Sequence, residues 1–313
     1  MNHSRVKIFS CGGNDQLFRE VCKFLDVHQG RMTRSSFADG ELYVRIDESV
    51  RGCDTFVIQP TCNPVNENLM RLLITIDALK RASAASVTAV VPYLGYSRQE
   101  KKSIGREPIT AKLVANLITC AGADRIITVD MHDPAIQGFF DIPVDHLSAG
   151  KRLAEYCMKH DLTNHVIVSP DTGGVLRARS FARRLNLPLA IIDKRRPEAN
   201  NAVVMNVVGD VKNKHCIVVD DIVDTAGTLT SVTESLIKNG ALSVSACCTH
   251  AVLSKPATDK ISKSPLLKLV ATNSVPVHAD KAEKCRLEIL SIAPLVGETI
   301  KRIFERRSIS ELF

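Results

Sequence analysis

Short runs of apolar, largely β-branched residues recur along the chain, bounded by polar or turn-forming residues and separated by amphipathic stretches. Residues 6–9, 55–58, 87–91, 126–129, 166–168 and 189–192 predict strands. Their apolar character is nearly continuous, as a strand covered on both faces requires, so their alternation with amphipathic stretches predicts parallel α/β sheets. One run is richer in chemistry than the others. Residues 216–219 form a strand pattern that leads into Asp220 and Asp221, then through Ile222 and Val223 into the turn Asp224, Thr225, Ala226, Gly227 and Thr228. Beyond it, Leu229, Val232, Leu236 and Ile237 recur at helical spacing, Lys238 lies in the last turn and Gly240 ends the helix.

The turn therefore falls at a helix N-terminus, where unpaired backbone N–H groups and the positive end of the helix dipole favour a phosphate. Ala226 and Gly227 carry no side chain that would block its approach. Asp220 and Asp221, at the carboxyl end of the strand, are acceptors for vicinal ribose hydroxyls or ligands for a hard cation. An Asp-rich turn before an ordinary capped helix is the plain alternative. The order of strand, acid pair, small turn and helix favours the sugar-phosphate reading.

This run resembles the ribose-phosphate fingerprint of type I phosphoribosyltransferases. Further segments narrow the likeness: FADGE at 37–41, RQEKK at 98–102, GFFDIP at 138–143, SPDTGG at 169–174 and DKRR at 193–196. They follow the order seen in class I ribose-phosphate pyrophosphokinases, also called phosphoribosyl pyrophosphate synthetases, and the likeness spans nearly the whole chain. The resemblance implies two similar type I phosphoribosyltransferase-like domains, each a mainly parallel sheet flanked by helices.

A length of 313 residues exceeds the usual single core and predicts two domains. An echo within the chain agrees: Thr110, Val114, Gly122, Ala123 and His132 match Thr228, Val232, Gly240, Ala241 and His250 at a constant offset. The second copy holds the sugar-phosphate turn. The first has a longer basic loop with Arg98, Gln99, Lys101, Lys102 and Arg106 and no acid pair, as a degenerate duplicate would. The join is placed near Leu147, giving an N-terminal domain over 1–147 with the ATP-site segments and a C-terminal domain over 148–313 with the ribose 5-phosphate turn and catalytic loop.

The formal charge of +7 suits anionic substrates and equally nucleic acid, but 4% aromatic residues and no Trp leave little for stacking bases, so polyphosphate metabolites are favoured. The ten cysteines include no C-x-x-C pair, which predicts neither a disulfide framework nor zinc. With no apolar run long enough to cross a bilayer, the expected compartment is the cytoplasm.

No P-loop or dinucleotide-binding glycine pattern is present, so ATP would need a site of another kind. Arg98 and Gln99 offer a guanidinium fork and an amide, and Phe37, Asp39 and Glu41 a stacking face with two acceptors. By composition alone Phe37 reads as core and Asp39-Gly40 as a turn; the resemblance instead assigns this segment to adenine, across a subunit boundary. His132, in a turn after a strand, and Asp171, an adequate N-cap by itself, match family positions that hold magnesium and ATP. Asp133, Pro134 and Ala135 depart there from the common family pattern. Lys194, Arg195 and Arg196 read as a mobile basic loop after the strand at 189–192, and the resemblance gives Lys194 and Arg196 the role of stabilising the transferred group.

The implied reaction is attack by the C1 hydroxyl of ribose 5-phosphate on the β-phosphorus of MgATP, giving phosphoribosyl pyrophosphate and AMP. Mg²⁺ is the implied cofactor. A homo-oligomer, as a hexamer, is the implied assembly, with neither nucleic acid nor membrane as partner. Ser49 and Arg51, with Ser308 and Ser310, resemble parts of the family's regulatory phosphate site, with inorganic phosphate as activator. Two rivals remain: a noncatalytic synthetase-associated paralogue, and a phosphoribosyltransferase that consumes phosphoribosyl pyrophosphate. Retention of Asp220, Asp221, Asp224, Lys194 and Arg196 weighs against the first. The additional segments and second domain weigh against the other.

Overall fold

The computed structural model describes residues 5–195 and 204–312 and divides into two compact units. The first contains the residues up to Ser148, Ser274–Pro276 and those from Ser291 onward; the second contains Ala149–Asn273 and Val277–Leu290. The first unit is thus discontinuous in sequence, since the C-terminal segment returns to it.

In the first unit, β1 (Val6–Ser10) leads to α1 (Asp15–Leu25), whose start is capped by Asn14 Oδ1 accepting the Leu17 N–H. Next come β2 (Met32–Ser36), β3 (Leu42–Ile46), β4 (Asp54–Ile58), α2 (Val65–Arg81), β5 (Ser86–Val91), α3 (Thr110–Cys120), β6 (Arg125–Val129) and β7 (Val144–Leu147). A parallel sheet in the order β1-β4-β5-β6-β7 carries the core, with Phe9, Val57, Ala89 and Ile126 facing Leu72, Ile76 and Leu79 of α2 and Val114 and Ile118 of α3. β2 and β3 form a separate antiparallel pair, more exposed than the strands of that sheet.

In the second unit, α4 (Gly150–Cys157), β8 (His165–Ser169), α5 (Val175–Leu185), β9 (Leu189–Arg195), β10 (Val204–Val208) and β11 (His215–Val223) precede α6 (Gly227–Lys238), β12 (Ser243–Ala251), α7 (Ala257–Lys263), β13 (Lys268–Thr272), α8 (Ala279–Lys284) and β14 (Leu287–Leu290). The sheet order is β10-β9-β8-β11-β12-β13-β14, parallel except for the edge strand β10. Successive residues point to opposite faces: Val168, Val218 and Ala246 enter one core with α6, while Ile167, Val219 and Cys247 enter the other with α4 and α5. Cover on both faces explains why these strands read as unbroken apolar runs.

The internal echo has a structural counterpart. β5-α3-β6 and β11-α6-β12 are both strand-helix-strand units joining parallel neighbours. Gly122 and Gly240 both follow the helix with positive φ, +106° and +88°, a conformation in which a Cβ would be strained. The paired histidines differ in setting: His132 is exposed in the turn after β6, whereas His250 is buried within β12.

The last helix, α9 (Ala293–Phe304), belongs to the first unit and packs on α1. A Cβ at Gly297 would stand 2.4 Å from Cδ1 of Phe24, so this approach requires glycine. Among the described residues, no helix is long and apolar enough to cross a membrane.

Candidate active site at the carboxyl ends of β8 and β11

The second sheet contains a reversal that the first lacks. From β8 the chain passes through α5 to β9 on one side, and from β11 through α6 to β12 on the other, while β8 and β11 are neighbours. At such a point the loops after the two strands diverge and leave a crevice above their carboxyl ends. In the first sheet, successive strands always add on the same side.

β11 continues to Val223, because its pairing with β12 runs on to Val223↔Ala251. The acid pair, read from sequence as lying just past the strand, is therefore inside it. Asp221 is buried at 3% exposure and Asp220 is half-buried. Arg177, on the first turn of α5, reaches both: its Nη1 lies 3.1 Å from Asp221 Oδ1 and 3.4 Å from Asp220 Oδ1. Asp220 Oδ1 also accepts the Asp221 backbone N–H at 2.9 Å. Burial, reinforced by the neighbouring Asp221 charge, pushes the Asp220 carboxyl up to about 8 even though Arg177 opposes the shift.

That shift fixes the sign of a pH effect. The folded protein retains a proton that an unfolded Asp releases near pH ~4, so this contribution to stability is complete below that pH and is lost as pH rises through about 8. Thermal denaturation without Mg²⁺ or substrate, scanned from about pH 5 to 9, is expected to show a shallower decline for Asp220→Asn than for the parent. Parallel curves would mean that Asp220 ionises normally.

After β11 the backbone turns through Asp224 and Thr225, and Ala226 takes a left-handed conformation (φ 59°, ψ 9°) immediately before α6. A left-handed non-glycine residue costs on the order of 1 kcal/mol, and such strain tends to collect where backbone must be held for function. The helix begins without a side-chain cap, in contrast to α1. Thr225 and Thr228 are exposed, while Ala226 is buried and its carbonyl accepts the Thr230 hydroxyl at 2.9 Å. A Cβ on Gly227 would lie 3.6 Å from Lys260 Nζ, which places an ammonium group of α7 beside the turn. After β8, Asp171 Oδ1 accepts the Gly174 N–H at 2.9 Å; Gly174 is the cap of α5, so Asp171 organises the turn and is not the N-cap.

Comparison with known proteins places this arrangement. Residues 6–122 match the profile of the N-terminal domain of ribose phosphate pyrophosphokinase, and residues 194–313 that of the phosphoribosyl synthetase-associated domain. The ribose-phosphate pyrophosphokinase of Listeria ivanovii is 55% identical over 99% of this chain and 97% of its own. That of Caldanaerobacter subterraneus subsp. tengcongensis is 53% identical over 98% of each. The crystal structure of phosphoribosylpyrophosphate synthetase from Mycobacterium smegmatis superposes with a TM-score of 0.92 at 46% identity, over 96% of this chain and 99% of that one. The chain belongs to the ribose-phosphate pyrophosphokinase family.

The other segments that resemble this pyrophosphokinase family fall as follows. Phe37, Asp39 and Glu41 form the exposed tip between β2 and β3, closed by Phe37 N–H to Glu41 O at 2.8 Å and Glu41 N–H to Asp39 Oδ1 at 3.0 Å. Phe37 is 57% exposed with its ring edge-on to Tyr43 at 5.9 Å, so the core reading drawn from composition alone does not hold. Arg98 and Gln99 are exposed in the loop after β5, where Gln99 Oε1 accepts the Thr110 hydroxyl at 2.6 Å at the start of α3. The departure at Asp133 has a local role: its Oδ1 accepts the Ala135 N–H at 2.8 Å and starts a 3-10 helix over Pro134–Phe139.

β9 extends through Arg195 because β10 pairs with it to Arg195↔Val204. Lys194 is thus on a strand, opposite Met205, and not in a loop. Arg196 lies outside the described residues. Ser49 and Arg51 are exposed before β4, and the Ser308 and Ser310 hydroxyls lie 3.1 Å apart after α9. Among the described residues, no three His, Cys, Asp or Glu side chains gather as a metal cluster. Sequence reasoning missed Arg177 and Lys260. A basic residue in the first turn of a helix opposes the dipole, so Arg177 carried a signal of another use; Lys260 carried none.

Proposed function

We propose that this protein transfers the diphosphoryl group of MgATP to the C1 hydroxyl of ribose 5-phosphate, forming phosphoribosyl pyrophosphate and AMP. The observation that carries the reading is the uncapped start of α6 at the reversal in strand order, with the acid pair one strand segment away. Membership of the pyrophosphokinase family supplies the reaction class.

In this reading Asp224, Thr225, Ala226, Gly227 and Thr228 bind the 5-phosphate through backbone N–H groups and the two hydroxyls, with the α6 dipole aligned to favour the anion. Asp220 and Asp221 accept from the ribose hydroxyls, and Arg177 holds the two acid side chains in register for them. Arg98, Gln99, Phe37, Asp39 and Glu41 bind ATP, and Lys194 and Arg196 neutralise charge on the transferred group. No covalent enzyme intermediate is involved; positioning and charge stabilisation carry the rate.

Mg²⁺ fits the donor chemistry of Asp171, a hard carboxylate, and His132 is the second candidate; a site with few protein ligands suits an ion that keeps several waters. When bound, Mg²⁺ supplies charge neutralisation on the phosphates. Ser49, Arg51, Ser308 and Ser310 are the proposed regulatory phosphate contacts. The deciding assay is AMP release from MgATP with and without ribose 5-phosphate: AMP formed only with the sugar supports the reading, and equal rates or none overturn it.

The proposal extends to assembly. The exposed β2–β3 tip is suited to completing the ATP site of a neighbouring copy in a homo-oligomer, as in a hexamer. Mixing an Asp220→Ala, Asp221→Ala variant with a Phe37→Ala, Glu41→Ala variant is then expected to restore partial activity, because some sites receive two intact contributions. No recovery despite demonstrated subunit exchange would exclude a shared site.

A further inference from the structure

Cys157, the last residue of α4, and Cys247, in β12, are outside the proposed catalytic machinery. Both are free thiols, at 5% and 3% exposure, and their sulfurs stand 3.8 Å apart. They meet on the α4 side of the second unit's sheet, where each strand residue belongs to the core formed with α4 and α5. They also line a cavity of about 480 Å³, together with Leu162, Ile217, Lys268 and Val270, so the pair is burial-protected from bulky reagents yet borders space that admits a small solute. Of the ten cysteines in the chain, this is the pair that the structure brings sulfur to sulfur among its described hydrogen-bond contacts.

We propose that Cys157 and Cys247 are a modification site for hydrogen peroxide, which converts the pair into an intramolecular disulfide. A sulfur separation of 3.8 Å closes to a bond of about 2.05 Å by side-chain rotation and a small approach of α4 to β12. The thiolate of one cysteine attacks one peroxide oxygen, the O–O bond breaks, and that cysteine becomes a sulfenic acid as hydroxide leaves and takes up a proton to form water. The other cysteine then attacks the sulfenic sulfur; the S–O bond breaks, the S–S bond forms, and its proton leaves with the hydroxyl as a second water. Two thiols are oxidised and one peroxide is reduced to two waters. In the hydrogen bond between the sulfurs either can donate, so it stabilises whichever thiolate attacks first while its partner keeps its proton until the second step.

The test treats the full-length protein with hydrogen peroxide, blocks remaining thiols with iodoacetamide under denaturing conditions, and maps peptides without reduction. The expected result is a peptide joining Cys157 to Cys247 with the mass of two hydrogens lost, absent from Cys157→Ser and from Cys247→Ser, and abolished by dithiothreitol. The untreated protein should show both residues alkylated. The inference is overturned if both residues remain fully alkylated after peroxide while the exposed Cys120 is oxidised, or if either pairs with a different cysteine. Because the parent protein alone gives the decisive map, failure of a serine variant to fold leaves the test intact.

Discussion

Lys194→Ala is expected to lower kcat by about two orders of magnitude while leaving KM for MgATP and ribose 5-phosphate within a few-fold, the signature of a contact made chiefly in the transition state. Phosphoryl-type transfer leaves the protein little covalent work, so a cation near the transferred group is worth roughly 3 kcal/mol. The position of Lys194 strengthens the expectation: it is carried on β9, where β10 pairs with it opposite Met205, beyond the point at Ile191 where β8 stops pairing. A cation on a paired strand starts from a more fixed backbone than one on an open loop, so less of its effect is lost to ordering. Arg196→Ala is expected to act in the same direction. Steady-state kinetics in both substrates distinguish the outcomes: a large rise in KM with kcat preserved would make these residues binding groups only.

The second large effect concerns Asp221. Asp221→Asn is expected to raise KM for ribose 5-phosphate roughly tenfold to a hundredfold, the range for losing a hydrogen bond to a charged group. Asp221→Ala should add a cost in stability of about 1–3 kcal/mol, because its carboxylate is buried against the Arg177 guanidinium and truncation leaves that cation poorly matched. Asp220→Ala, at a half-buried position, should weaken sugar use with a smaller loss of stability. Melting temperature together with kinetics separates the two residues. Unchanged kinetics in all three variants would remove the acid pair from the sugar site.

The contrast between these acids shows what the sequence could and could not reveal. Buried strands were legible because sheets covered on both faces force continuous apolar runs, as in β8, β9 and β11. The turn between β11 and α6 was legible because strand, acids, small residues and helix are consecutive. β2 was not, since Thr33, Arg34, Ser35 and Ser36 carry no apolar alternation and face solvent or partial cover. Strand ends were misplaced at Asp220 and Lys194 for a shared reason: polar residues remain in a strand when a neighbouring strand continues to pair with them, and pairing is nonlocal. The same nonlocality hid Arg177, whose partners lie on β11.

The return of α9 to α1 bears on how the chain is made. The first unit is discontinuous in sequence, so during synthesis it cannot be completed until residues beyond 290 have left the ribosome. By then every strand of the second unit has emerged, and the nascent chain carries α1 with the Phe24 surface still lacking its Gly297 neighbour. Truncation at the C-terminus would therefore injure the N-terminal unit first, and the growing chain would present its apolar α1 surface to chaperones for most of its translation.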